Sequence, residues 1–108
     1  MNEPRLLFDD KGDYIAFSIE NYLYDIDGRW IGWFPLCDEI AYDINNVYLG
    51  SVLYENRLFS DNRLHKKIYK GSIPKFKGYP KMFSFPKPIE PINIPKGCTE
   101  LKIKIPLL

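Results

Sequence analysis

The first sixty residues carry short bursts of alternating apolar and polar side chains, and no segment shows a helical period of useful length. Tyr14-Ile15-Ala16-Phe17 and Trp30-Ile31-Gly32-Trp33 are typical bursts. Alternation at period two marks a strand with one buried face. The bursts also recur. Segments 7–17, 23–33 and 41–51 align on one pattern, aromatic-Asp-x-x-Gly/Asn-x-aromatic-aliphatic-small, spaced 16 to 18 residues apart. A fainter fourth copy begins at Phe59-Ser60-Asp61-Asn62-Arg63-Leu64, 17 residues after Tyr42. A lone hairpin cannot bury a face, so several must pack around a common centre. The pattern predicts an all-β fold, with three to four short β-hairpins around a pseudo-symmetry axis.

Each repeated position has a physical reason. Gly12, Gly28 and Asn46 fall where a tight turn needs positive φ. Asp9, Asp25 and Asp43 stand three residues earlier, where a short carboxylate accepts hydrogen bonds from turn N–H groups. Ala16, Gly32 and Gly50 share one register and predict a crowded place where backbones approach.

The second half reads differently. Six prolines lie between Pro74 and Pro95, and Pro-Lys recurs at Pro74, Pro80 and Pro86. Proline fixes φ and removes a donor, so the segment is an extended, polyproline-like wrap. Phe76, Tyr79, Met82, Phe83, Phe85, Ile89, Ile92 and Ile94 supply apolar anchors that a disordered linker would lack. Near the end, Leu101, Ile103 and Ile105 alternate with Lys102 and Lys104, which predicts a half-buried strand added to a sheet edge. The chain is read as one domain, 1–108, with a hairpin head over 6–64. The tail over 65–108 docks on that head or on a neighbouring subunit.

The run Tyr24-Asp25-Ile26-Asp27-Gly28-Arg29-Trp30-Ile31-Gly32-Trp33-Phe34, its flanking copies and the Pro/Lys tail together resemble the bacterial 4-fold beta flower domain. The resemblance covers about residues 6–62 and, more loosely, the tail. In the third copy Asn46 replaces Gly and Ser51 the aromatic, and the fourth lacks the Asp-Gly signature. The resemblance implies the fold and no activity.

Charge divides sharply along the chain. Residues 1–61 hold four Lys/Arg against twelve Asp/Glu, a net of −8, whereas 62–108 hold eleven against two, a net of +9. Either the basic half lies across the acidic half, within one chain or between subunits, or it forms an exposed strip for a polyanion. The acidic half would repel that polyanion, which favours the first reading and argues against nucleic acid. Two cysteines without CxxC spacing suit a reducing compartment as free thiols, with one Cys37–Cys98 bridge as the alternative. The polar start and the absence of a long apolar run predict a soluble, cytoplasmic protein and no membrane segment.

Catalytic chemistry finds little support. His65, the only histidine, sits in the basic run Arg63-Leu64-His65-Lys66-Lys67, and neither Cys37 nor Cys98 lies in a nucleophile motif. Two Cys and one His fall short of a structural zinc site. The reading is a non-enzymatic binding or assembly module without metal or cofactor, most simply a homo-oligomer or protein-binding unit. A rival is a nucleotide-like small-ligand platform on Trp30, Trp33, Tyr48, Arg29, Arg57 and Arg63, since aromatic and Arg positions stack bases. Polyanion binding by the tail is a third.

Overall fold

Three carboxylates fix three turns in the same way. Asp9 Oδ1 accepts from the N–H groups of Lys11 and Asp13, each at 2.9 Å. Asp25 Oδ1 takes those of Asp27 and Arg29, and Asp43 Oδ1 those of Asn45 and Val47. The fourth turn residue is left-handed in each case: φ is +90° at Gly12, +82° at Gly28 and +64° at Asn46. A bulge precedes each turn, at Leu7/Phe8, Leu23/Tyr24 and Ala41/Tyr42, so the three hairpins share one register.

The computed structural model describes residues 3–75 and 78–103. The first hairpin joins β1 (Arg5–Phe8) to β2 (Tyr14–Ile19), the second β3 (Tyr22–Asp25) to β4 (Trp30–Trp33), and the third β5 (Ile40–Asp43) to β6 (Tyr48–Leu53). Strand β7 (Arg57–Asp61) follows, then a single 3-10 turn at Asn62–Leu64, and finally β8 (Cys98–Glu100). Among the described residues there is no α-helix, and no helix long and apolar enough to cross a membrane. Strands β1 to β7 pair in sequence order, and β7 returns to β1 in parallel at Phe8 and Arg57, closing a seven-stranded barrel. The all-β expectation is met.

Strand β8 pairs antiparallel with β7, Phe59 opposite Glu100 and Asp61 opposite Cys98. It therefore serves as the return strand of a fourth hairpin whose turn has been replaced by a long excursion of the chain. Asp61 keeps the turn-carboxylate habit, accepting from Arg63 N at 3.0 Å. Gly97, at φ +87°, sits at the far end of the excursion, and its carbonyl accepts from Asn62 N. The Asp and Gly of the fourth copy are thus present but separated in sequence. Ser60 takes the place of the aromatic before Asp.

The tail strand also falls earlier than the alternation suggested. Residues 98–100 pair with β7, while Leu101 and Ile103 are half-buried against the core on either side of exposed Lys102. Lys104, Ile105 and Phe76 lie outside the described residues.

The excursion itself is a belt that visits the hairpins in reverse order. Ile68 bridges to Val47, and Asn46 Nδ2 donates to Gly71 O at 2.8 Å, both on the third hairpin. On the second, Tyr22 donates its hydroxyl to Lys75 O, and Met82 Sδ lies against Gly28. At the first, the Phe83 ring meets Phe17 edge-on at 5.0 Å, and Ile89 N donates to Gly12 O at 2.9 Å. Buried Arg57 then locks the seam, donating to Asp9 O at 2.9 Å and to Glu90 O.

Inside the ring, Leu7, Ala16, Leu23, Phe34, Ala41, Val52 and Leu58 form the central core. The small register is crowded as expected: a Cβ at Gly32 would overlap Tyr42 O on the next hairpin, and one at Gly50 would lie 3.1 Å from Phe59 O.

Gly12 and Gly78 separate two glycine effects, since both have positive φ. A Cβ at Gly12 would overlap Ile89 O of the belt, while one at Gly78 meets nothing within 4 Å among the described residues. We expect Gly78→Ala to cost about 1 kcal/mol from backbone strain alone, and Gly12→Ala to cost more and to loosen the belt. Chemical denaturation of both variants, with hydrogen exchange at the Ile89 and Ile92 amides, checks this.

Candidate functional site

The six residues expected to form an aromatic and arginine platform are placed in several different settings. Trp33 and Tyr48 are buried in one aromatic cluster with Tyr42, and Tyr69 of the belt packs on it. Trp33 donates its Nε1–H to Asn46 Oδ1 at 2.9 Å. The Tyr48 hydroxyl lies 2.7 Å from Ser51 Oγ and accepts from Asp61 N. Half-buried Trp30 belongs to a second cluster with Phe17, Tyr22 and Tyr24. Arg57 is the seam residue described above. Of the remaining two arginines, both exposed, Arg29 lies 3.8 Å from Asp27, and Arg63 grips Asp61 at 2.8 Å. This last pair holds the Asp61 carboxyl below its ordinary range, first through its hydrogen bonds with Arg63.

The sulfur and imidazole groups do not converge on a nucleophile. Cys37 and Cys98 are both free thiols, and Cys37 is exposed. Burial and the nearby Asp61 carboxylate push the Cys98 thiol up, away from the thiolate a nucleophile needs. His65 is exposed at the end of the 3-10 turn. Asp9, Asp10 and Glu100 bring three carboxylates within 4.8 Å of one another. Lys11 Nζ sits 3.7 Å from Glu100 and supplies this group with a counter-charge from the chain itself.

The surface with most chemical character is divided between two regions. The belt is the basic one. Lys66, Lys67, Lys70, Lys75, Lys81, Lys87, Lys96 and Lys102 are all exposed. Among the described residues none of them reaches a carboxylate within ion-pair distance. Ile68, Ile73, Met82 and Phe85 expose apolar surface between them. The belt docks on the acidic head through ring contacts and backbone hydrogen bonds, so its positive charge stays in solvent.

The acidic region is a cleft of about 470 Å³ lined by Arg5, Asp38, Glu39, Val52, Leu53, Tyr54 and Glu55. Asp38, Glu39 and Glu55 are exposed, and Tyr54 leaves 65% of its surface open. Arg5 is the one cation in the wall. It donates to Asp38 O at 2.8 Å and lies over the Phe34 ring at 5.1 Å, so it is held in place by the protein. The residues of this cleft come from β1, from the link between the second and third hairpins, from the end of β6 and from the turn before β7. None belongs to a repeated position, which is why the repeat pattern did not reveal it. The only sequence signal was the adjacent pair Asp38-Glu39.

No protein family, characterised protein or solved structure matches this chain.

Tyrosine burial gives the fold a pH dependence. Burial, aided by the Asp25 carboxylate, pushes the Tyr14 phenol up to about 12 from 10.0. Burial also raises Tyr42 and Tyr48. A raised phenol favours the fold fully below the unfolded value and loses that contribution as pH climbs through the folded one. Urea midpoints should therefore fall between pH 10 and about 12, and Tyr14→Phe should flatten part of that decline.

Proposed function

We propose that the protein is a non-enzymatic assembly module that binds further copies of itself, the lysine belt of one copy meeting the acidic cleft of another. The supporting observation is the set of eight exposed belt lysines without a carboxylate partner among the described residues, on a chain that also carries an open acidic cleft. Charge complementarity of this kind steers encounter and fixes register more than it adds affinity. Exposed Phe85, Met82 and Ile73 on one side, with Tyr54 and Leu36 on the other, supply apolar surface for the contact. A patch meeting a different patch is a heterologous contact, which gives rings or open chains of subunits.

The ring is also read here as a divergent 4-fold beta flower domain of bacterial type. Three hairpins with one Asp-centred turn geometry and a fourth completed by β8 support that reading. The nucleotide-platform reading is less well supported, because Trp33 and Tyr48 are buried in packing. Polyanion binding would draw on the same lysines, and the assembly test separates the two.

Native mass spectrometry and sedimentation at low salt should show multimers that dissociate as ionic strength rises, since exposed charges are screened beyond about 8 Å at physiological salt. Charge reversal on either side, Asp38→Lys with Glu55→Lys or Lys81→Glu with Lys87→Glu, should give monomers. Mixing the two double variants should restore association between them. A chain that stays monomeric at low salt, or multimers indifferent to both reversals, would exclude the proposal.

A further inference from the structure

The strand that completes the fourth hairpin is held on a long tether. The first three turns take four or five residues, whereas thirty-six separate β7 from β8. Effective concentration falls roughly as the −3/2 power of tether length, so a freed β8 meets its own β7 about 20-fold less often than a turn-linked strand would. The hold on β8 is also slight. It is three residues long, Thr99 and Glu100 are exposed, and Leu101 and Ile103 beyond it are only half-buried.

The belt has no structure of its own to keep it on one head. Among the described residues, local backbone hydrogen bonds close only the turns at its two ends, from Lys67 N to Leu64 O and from Cys98 N to Pro95 O. The others run between belt and head, as from Tyr48 N to Lys67 O, Ile89 N to Gly12 O and Ile92 N to Asp10 O. The head of a second copy offers the same partners. What differs is the bend where the belt leaves its head. Lys66 stands there at φ +67°, a left-handed conformation that strains a long side chain and that an extended hinge would release.

We propose that the belt and β8 exchange between two copies, residues 67–103 of each wrapping the ring of the other and completing its fourth hairpin, with Lys66 as the hinge. Exchange keeps every contact except those at the hinge, so the strain there sets the balance. The arrangement is isologous and closes as a dimer. It is independent of the charge contact proposed above, because what holds it is strand pairing and packing that salt does not screen.

The test uses full-length chains in about 1 M sodium chloride, where a screening length of about 3 Å removes the charge contact. Ser60 and Thr99 lie opposite each other on β7 and β8, a spacing that a disulfide bridges. In a background of Cys37→Ser with Cys98→Ser, one chain carries Ser60→Cys and the other Thr99→Cys. The two are unfolded in urea, refolded together and oxidised. We expect mixed disulfide dimers to exceed like-with-like dimers by about tenfold, because exchange alone seats position 99 of one copy against position 60 of the other. The hinge gives a second reading. His65 has φ −54° and ψ 130°, which suits a residue before proline. Lys66→Pro therefore permits the extended hinge and forbids the left-handed one, while Lys66→Gly removes the strain. Sedimentation should show the salt-resistant dimer fraction rising about fivefold or more with Lys66→Pro and falling with Lys66→Gly. Should Lys66→Pro fail to fold, the glycine variant and the disulfide ratio still decide. Mixed disulfides no more frequent than chance, or a dimer fraction indifferent to the hinge variants, would overturn the proposal.

Discussion

The open edge of β7 is the constraint on which the rest of this structure depends. A strand edge with unpaired N–H and C=O groups invites pairing with other chains. In the first three hairpins the edge is covered by a return strand a few residues away. In the fourth, β1 reaches only the start of β7, at Arg57, and the span from Phe59 to Asp61 must find its partner elsewhere. The chain provides it from 98–100, and the route there takes the belt past every hairpin. Its proline content suits that route, because an extended chain with few free donors can follow a curved surface without forming structure of its own.

The belt explains why the turn positions are so restricted. Gly12 and Gly28 hold left-handed backbone and also lie where the belt passes, against Ile89 and Met82. Asn46 accepts the same backbone strain and adds a side-chain bond to Gly71. One residue in each repeat thus serves both the hairpin and its wrapping. Arg57 does the same for the seam, tying the first turn, β7 and the belt through the carbonyls of Asp9 and Glu90. Its burial shows that an arginine in a repeat-rich sequence can be a structural staple as readily as a ligand contact.

Much of this architecture was legible because it rests on local chemistry. The Asp-x-x-Gly spacing, the period-two alternation and the small register all reflect forces acting within a few residues of each other. The partner of β7 was not legible in the same way. Gly97 and Cys98 lie far from Asp61 in sequence, and only the folded ring brings them together. The expected strand at Leu101–Ile105 rested on alternation, which marks burial of one face and says little about which backbone is paired. The acidic cleft escaped for a related reason, since it is assembled from segments that share no motif.

The separation of Asp61 from Cys98 also has a consequence during synthesis. Thirty-six residues, 62–97, lie between the two strands of the fourth hairpin. At ribosomal rates of roughly 5–20 residues per second, that interval lasts about 2 to 7 seconds. Throughout it the nascent ring carries a half-covered strand that neighbouring nascent chains can reach. The basic residues that follow bring the nascent chain's net charge from −8 at Asp61 to zero at Gly97, so the electrostatic repulsion that keeps emerging chains apart fades while that edge still waits for β8.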